Sequence, residues 1–75
     1  MLSTTTYTVQ GMTCAHCVGA VSREVTRVVG VDGVQIELVP DGVSRVRVES
    51  QAPLDRSAVA AAVAEAGYEL TGVLA

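Results

Sequence analysis

An α+β fold, with two helices on one face of a four-stranded antiparallel sheet, is what this sequence predicts. Three observations carry that expectation. Apolar residues alternate with polar ones in short runs, two longer runs repeat their apolar residues every three or four positions, and Gly, Pro and Asp punctuate the boundaries. The runs follow in the order strand, helix, strand, strand, helix, strand.

From Thr5 to Gln10, Tyr7 and Val9 fall on one side and Thr6, Thr8 and Gln10 on the other, the period of a half-buried strand, which Gly11 ends. From Cys17 to Val28, Val18, Val21, Val25 and Val28 recur at helical spacing, with Ser22, Arg23, Thr26 and Arg27 opposite and Gly30 closing the helix. Val34, Ile36 and Leu38 then alternate with Gln35 and Glu37. Beyond the turn residues Pro40-Asp41-Gly42, Val46 and Val48 alternate with Arg45, Arg47 and Glu49, so a hairpin is expected. Pro53 and Asp55 open a second helix that runs through Ala66. Asp55 is its N-cap, Val59, Ala62, Val63 and Ala66 form its buried stripe, and Gly67 stops it. A last strand spans Glu69 to Leu74. With both helices on one face, this order is the split-βαβ, or ferredoxin-like, plan.

A chain of 75 residues has room for one small core, so residues 1–75 read as a single domain and a catalytic apparatus with its own substrate domain is excluded. At 49% hydrophobic and 17% charged residues the chain should fold. With no Phe or Trp, its core of Val, Leu, Ile and Ala predicts modest stability in the absence of a ligand or partner. Net charge is −3, with five Arg and no Lys, the wrong sign for a nucleic-acid binder. The longest apolar stretch, Ala58 to Ala64, is too short for membrane insertion. The N-terminus lacks the charged start and apolar run of a secretory signal, which predicts a cytoplasmic protein with reduced thiols.

In that setting the close pair Cys14 and Cys17 points to metal binding or redox chemistry. Gly11-Met12-Thr13-Cys14-Ala15-His16-Cys17 lies between the first strand and the first helix, and reads as an exposed loop feeding a helix N-terminus. The positive end of the helix dipole favours the thiolate, the form that binds metal or attacks a disulfide. Residues three apart near a helix start bring their Cβ atoms within about 5–6 Å. A linear sulfur–metal–sulfur unit needs its sulfurs about 4.5 Å apart, twice a metal–sulfur bond of ~2.3 Å. Soft thiolates select Cu(I) or zinc, and a closed zinc site takes four ligands where this chain offers two Cys and one His. Cu(I) is satisfied by two thiolates. The residual single negative charge suits a helix N-terminus, and the open coordination sphere lets an incoming thiolate add before a resident one leaves.

The seven-residue segment from Gly11 to Cys17, the Val-rich helix, Gly30-Val31, the Val34/Ile36 alternation and Ala66-Gly67-Tyr68 together resemble the heavy-metal-associated domain family over nearly the whole chain. Within it, the resemblance is greatest to small cytosolic bacterial copper chaperones. The resemblance implies the βαββαβ fold, Cu(I) held by Cys14 and Cys17, and delivery to a copper-transporting P-type ATPase carrying similar metal-binding domains. It further implies that Met12 is a buried support for the loop and that Tyr68 lies beside it. Relatives that handle divalent ions often carry Asp in place of Thr13, which favours copper.

Other residues carry plainer readings beside functional ones. Met12 is expected in the core, where a flexible thioether fills gaps, in preference to a third ligand. His16 is expected to face solvent, since positions 16 and 17 point about 100° apart on a helix; ligation and proton donation to a departing thiolate are its alternatives. Tyr68 either screens the site or caps the core edge. Arg23 and Arg27 read as a solvated helix face or as contacts for an acidic partner, and the Ala-rich second helix as good helix former or as a smooth surface for a short-lived contact or a metal-bridged homodimer. The functional expectation is a Cu(I) carrier and not an enzyme. Its competitors are a thiol-disulfide oxidoreductase, which also uses C-x-x-C at a helix start, and a module cut from a larger transporter.

Overall fold

The computed structural model describes every residue except Met1, Leu2, Cys14, Asp41, Pro53 and Ala75, together with all side chains of the described residues but that of Ala15. The elements are β1 (Ser3–Gln10), α1 (Ala15–Thr26), β2 (Val31–Glu37), β3 (Ser44–Ser50), α2 (Arg56–Glu65) and β4 (Glu69–Leu74), in the expected order. The strands form one antiparallel sheet of order β2-β3-β1-β4, with α1 packed on β2 and α2, and α2 on β4. This is the ferredoxin-like arrangement the periodicities predict.

Register places the apolar positions of neighbouring strands on one face. Tyr7 pairs with Val46 and Val46 with Ile36, while Val9 pairs with Leu70 on its other side. The helices cover that face with Val21 and Val25 from α1 and Val59 and Val63 from α2, and all four are buried. Thr6, Arg47 and Gln35 line up on the opposite face of the sheet, as do Arg45 and Glu37, which form an exposed ion pair at 3.7 Å.

Element boundaries differ from the periodic runs where local geometry intervenes. β2 begins at Val31, ahead of the Val34/Ile36/Leu38 alternation, because its register with β3 shifts between Val31 and Gly33. Such an irregularity advances the pleat, so Val31 and Val34 pack toward the core although three positions apart. α1 spans Ala15–Thr26, not Cys17 to Val28. Its end tightens: the Arg27 and Val28 N–H groups donate to the carbonyls of Glu24 and Val25, three residues back, at 3.2 and 3.0 Å. At α2, the Asp55 carboxylate accepts from the Ser57 N–H at 3.0 Å as the expected N-cap, while Pro53 lies outside the described residues. Asp41 of the expected turn does too, but the Gly42 N–H closes that turn on the Val39 carbonyl at 3.2 Å.

Candidate metal centre

Two backbone reversals build one end of the molecule. β1 stops at Gln10, and Gly11 turns the chain away with φ of +97°, a region open to glycine and strained for other residues. At the end of α2, the Gly67 N–H donates to the Ala64 carbonyl at 2.9 Å and the Tyr68 N–H to the Val63 carbonyl at 3.2 Å, with Gly67 at φ +94°. This paired pattern is the Schellman motif, which satisfies the last helix carbonyls and aims the next residue back over the helix end. It delivers Tyr68 to Gly11: a Cβ built on Gly11 would lie 3.5 Å from the tyrosine Cδ1. Gln10, Gly11, Gly67, Tyr68 and Glu69 line an open surface depression there.

Beyond Gly11 the chain alternates between core and solvent. Met12 is 1% exposed and joins the hydrophobic core, as expected of a loop support, whereas Thr13 and His16 are exposed. Cys17 corrects the reading of this segment as an exposed loop. It sits in the first turn of α1, is only 7% exposed, and belongs to the same buried cluster as Met12, Val21 and Val25. The reason is spacing: Cys17, Val21 and Val25 are four apart and share one helix face, so the sulfur rides at the outer end of the apolar stripe. The Thr13 hydroxyl lies 3.9 Å from the Cys17 sulfur, within reach for a large sulfur partner, and either atom can donate. The separation of four positions between Thr13 and Cys17 is the one signal of this contact in the sequence. Cys14, the other expected ligand, lies outside the described residues.

The electrostatic setting favours an anion. The first turn of α1 contains no acidic residue, so nothing within it offsets the positive end of the helix dipole. Among the described residues no three His, Cys, Asp or Glu side chains gather into a metal-binding group, so they build no closed four-ligand centre. Arg27 is engaged with Glu24 at 3.5 Å on the exposed side of α1, and Ala58, Ala61 and Ala64 form the exposed side of α2. Among the described residues no helix is long and apolar enough to cross a membrane.

Comparison with known proteins adds to this geometry. Residues 6–69 match the family model described as the heavy-metal-associated domain. The chain is 39% identical over 62 residues to the COP-associated protein of Helicobacter felis, covering 83% of this chain and 89% of that protein. The N-terminal domain of a potential copper-translocating P-type ATPase from Bacillus subtilis, solved in the Cu(I)-loaded state, superposes with a TM-score of 0.76 at 25% identity, covering 99% of this chain and 92% of that one. A structure described as the CopZ metallochaperone gives a TM-score of 0.76 at 24% identity, covering 92% of this chain and all of that one, a likeness of fold.

Proposed function

The chain belongs to the heavy-metal-associated domain family, and from that premise we propose that it is a metallochaperone that binds Cu(I) through Cys14 and Cys17 and passes it on by thiolate exchange. The observation that carries this reading is the Cys17 sulfur at the first turn of α1, on a helix end whose first turn has no carboxylate. Two thiolates and one monovalent ion leave a single negative charge, which unpaired N–H groups and the dipole at a helix start stabilise. The relatives support copper as the cargo: one is named a COP-associated protein and another is a domain of a potential copper-translocating ATPase in a Cu(I)-loaded state. They do not favour the thiol-disulfide alternative.

Transfer then needs no catalyst. An incoming thiolate adds to a two-coordinate ion to make a three-sulfur species, and one original sulfur departs, so the ion is never bare. A metal-binding domain of a copper-transporting P-type ATPase is the acceptor this chemistry fits, since a domain of like fold from a potential copper-translocating P-type ATPase is known in a Cu(I)-loaded state. The reaction requires reduced thiols, the state that a cytoplasmic setting maintains.

Anaerobic titration of the reduced chain with Cu(I) against a competing chelator tests the proposal. Saturation is expected at one ion per chain, or per two chains if a metal-bridged homodimer forms, and X-ray absorption should report sulfur ligands alone. Cys14→Ser combined with Cys17→Ser should abolish binding, and tight binding that survives in this double variant refutes the reading.

A further inference from the structure

We propose that the open face of the sheet is a second docking surface, which takes an extended acidic segment of a partner protein along β3. That face lies opposite the helices, and a depression of about 450 Å³ opens on it, lined by Thr6, Gln35, Glu37, Arg45, Arg47 and Leu74 among others. None of these residues belongs to the metal centre. Register explains the set: Gln35, Arg47 and Thr6 are neighbours across three strands, Thr6 pairs in turn with Leu74, and Arg45 pairs with Glu37.

Charge selects the occupant. The chain as a whole carries −3, yet this depression sets two guanidinium groups against one carboxylate. Glu37 holds Arg45 at 3.7 Å in an exposed pair that water weakens, and among the described residues no carboxylate pairs with Arg47. Glu49 shares the face, two residues beyond Arg47, but does not line the depression. Arg45 and Arg47 are two apart on one strand, so their Cα atoms lie about 6.6–6.8 Å from each other. An extended partner segment repeats its same-side residues at that interval, so acidic residues at alternate positions meet both guanidinium groups at once. Thr6 and Gln35 flank them as further hydrogen-bonding groups, and Leu74, 43% exposed, supplies an apolar wall. A nucleic-acid backbone fits less well: the overall charge of the chain repels it, and among the described residues no aromatic side chain lines the depression to stack a base. The contact needs no metal. A partner held here leaves the Cys17 end of α1, on the other side of the sheet, uncovered.

The test titrates the whole reduced chain, isotope-labelled for NMR, with a blocked peptide of sequence Ser-Glu-Ala-Glu-Ala-Ser and with its uncharged counterpart Ser-Gln-Ala-Gln-Ala-Ser. The acidic peptide should shift the amides of Thr6, Gln35, Arg45 and Arg47, and the uncharged one should not. Arg47→Gln should weaken binding roughly tenfold, the loss of one hydrogen bond to a charged group. Glu37→Gln, which frees Arg45 from its competitor, should tighten it about threefold, in keeping with an exposed ion pair. Added salt should weaken it as well. Cys14→Ser with Cys17→Ser should leave peptide binding unchanged, and Arg47→Gln should leave Cu(I) binding unchanged, so this proposal and the carrier reading fail separately. Absent shifts, equal shifts with both peptides, shifts confined to the metal end, or full affinity in Arg47→Gln each overturn the docking surface. Tighter binding of a single-stranded RNA at the same amides also overturns it, because the face would then read phosphates.

Discussion

Tyr7 is the largest side chain of the core, 2% exposed on the central strand β1 beneath the helices. Burial pushes its phenol above the ordinary tyrosine value of 10.0, while a hydrogen bond with Thr5 and the positive charge of Arg56 pull it partly back. The sign of the consequence follows from proton binding. Above pH 10 the unfolded chain loses the phenolic proton before the folded chain does, so the folded state binds more protons and unfolding becomes easier as pH rises. The contribution is whole below pH 10 and is lost as pH climbs through the raised value. Thermal melts between pH 9 and pH 11 should therefore show a downward slope for the parent that is reduced in Tyr7→Phe. Equal slopes would mean that Tyr7 ionises as readily folded as unfolded. Cys17 illustrates the same physics with a softer group, since its place at the end of an apolar stripe makes any charge on sulfur depend on neighbours such as Thr13.

α2 shows how two local motifs serve different ends. Its N-terminus is held by the Asp55 cap, and its C-terminus by the Schellman hydrogen bonds that present Tyr68 to Gly11. Ten residues separate these ends by about 15 Å. Asp55→Ala should then cost about 1 kcal/mol of folding stability and leave copper affinity unchanged. In a chain this short that is a fall of roughly 4–8 °C in the melting midpoint, measured beside a chelator-competition titration. A loss of copper affinity in this variant would show that the cap reaches the metal end after all. Both ends of α2 were legible in the sequence as Asp55 and Gly67, because capping is local chemistry. The hydrogen bond from Tyr68 to Val63 was not, since residue identities alone do not distinguish one glycine-based helix end from another.

The fold as a whole is small, and its buried residues are mostly valines, with Tyr7, Met12, Cys17 and Ala62 among them. At typical values per residue, 75 residues correspond to about 4–11 kcal/mol of unfolding free energy. A ligand that binds only the folded form adds to this by mass action, about 2.7 kcal/mol at a hundredfold excess over Kd. Saturating Cu(I) should therefore raise the melting midpoint of the reduced chain by roughly 10–20 °C. Cys14→Ser with Cys17→Ser should erase the increase, as differential scanning calorimetry under anaerobic conditions would show. An equal rise in that double variant would place the copper elsewhere on the chain.

Element order, the fold class, the caps of α2 and the core positions of Tyr7, Val21, Val59 and Val63 follow from the sequence by itself. Side-chain period and turn chemistry are local properties, and they state which face of each element is apolar before any packing occurs. The early start of α1, the register shift that turns Val31 inward and the depth to which the Cys17 end of the apolar stripe is buried were decided only in the tertiary structure. Each depends on how deeply an element end is pressed between the sheet and its neighbours. That depth is set by contacts between segments distant in the chain, which no local pattern of residues encodes.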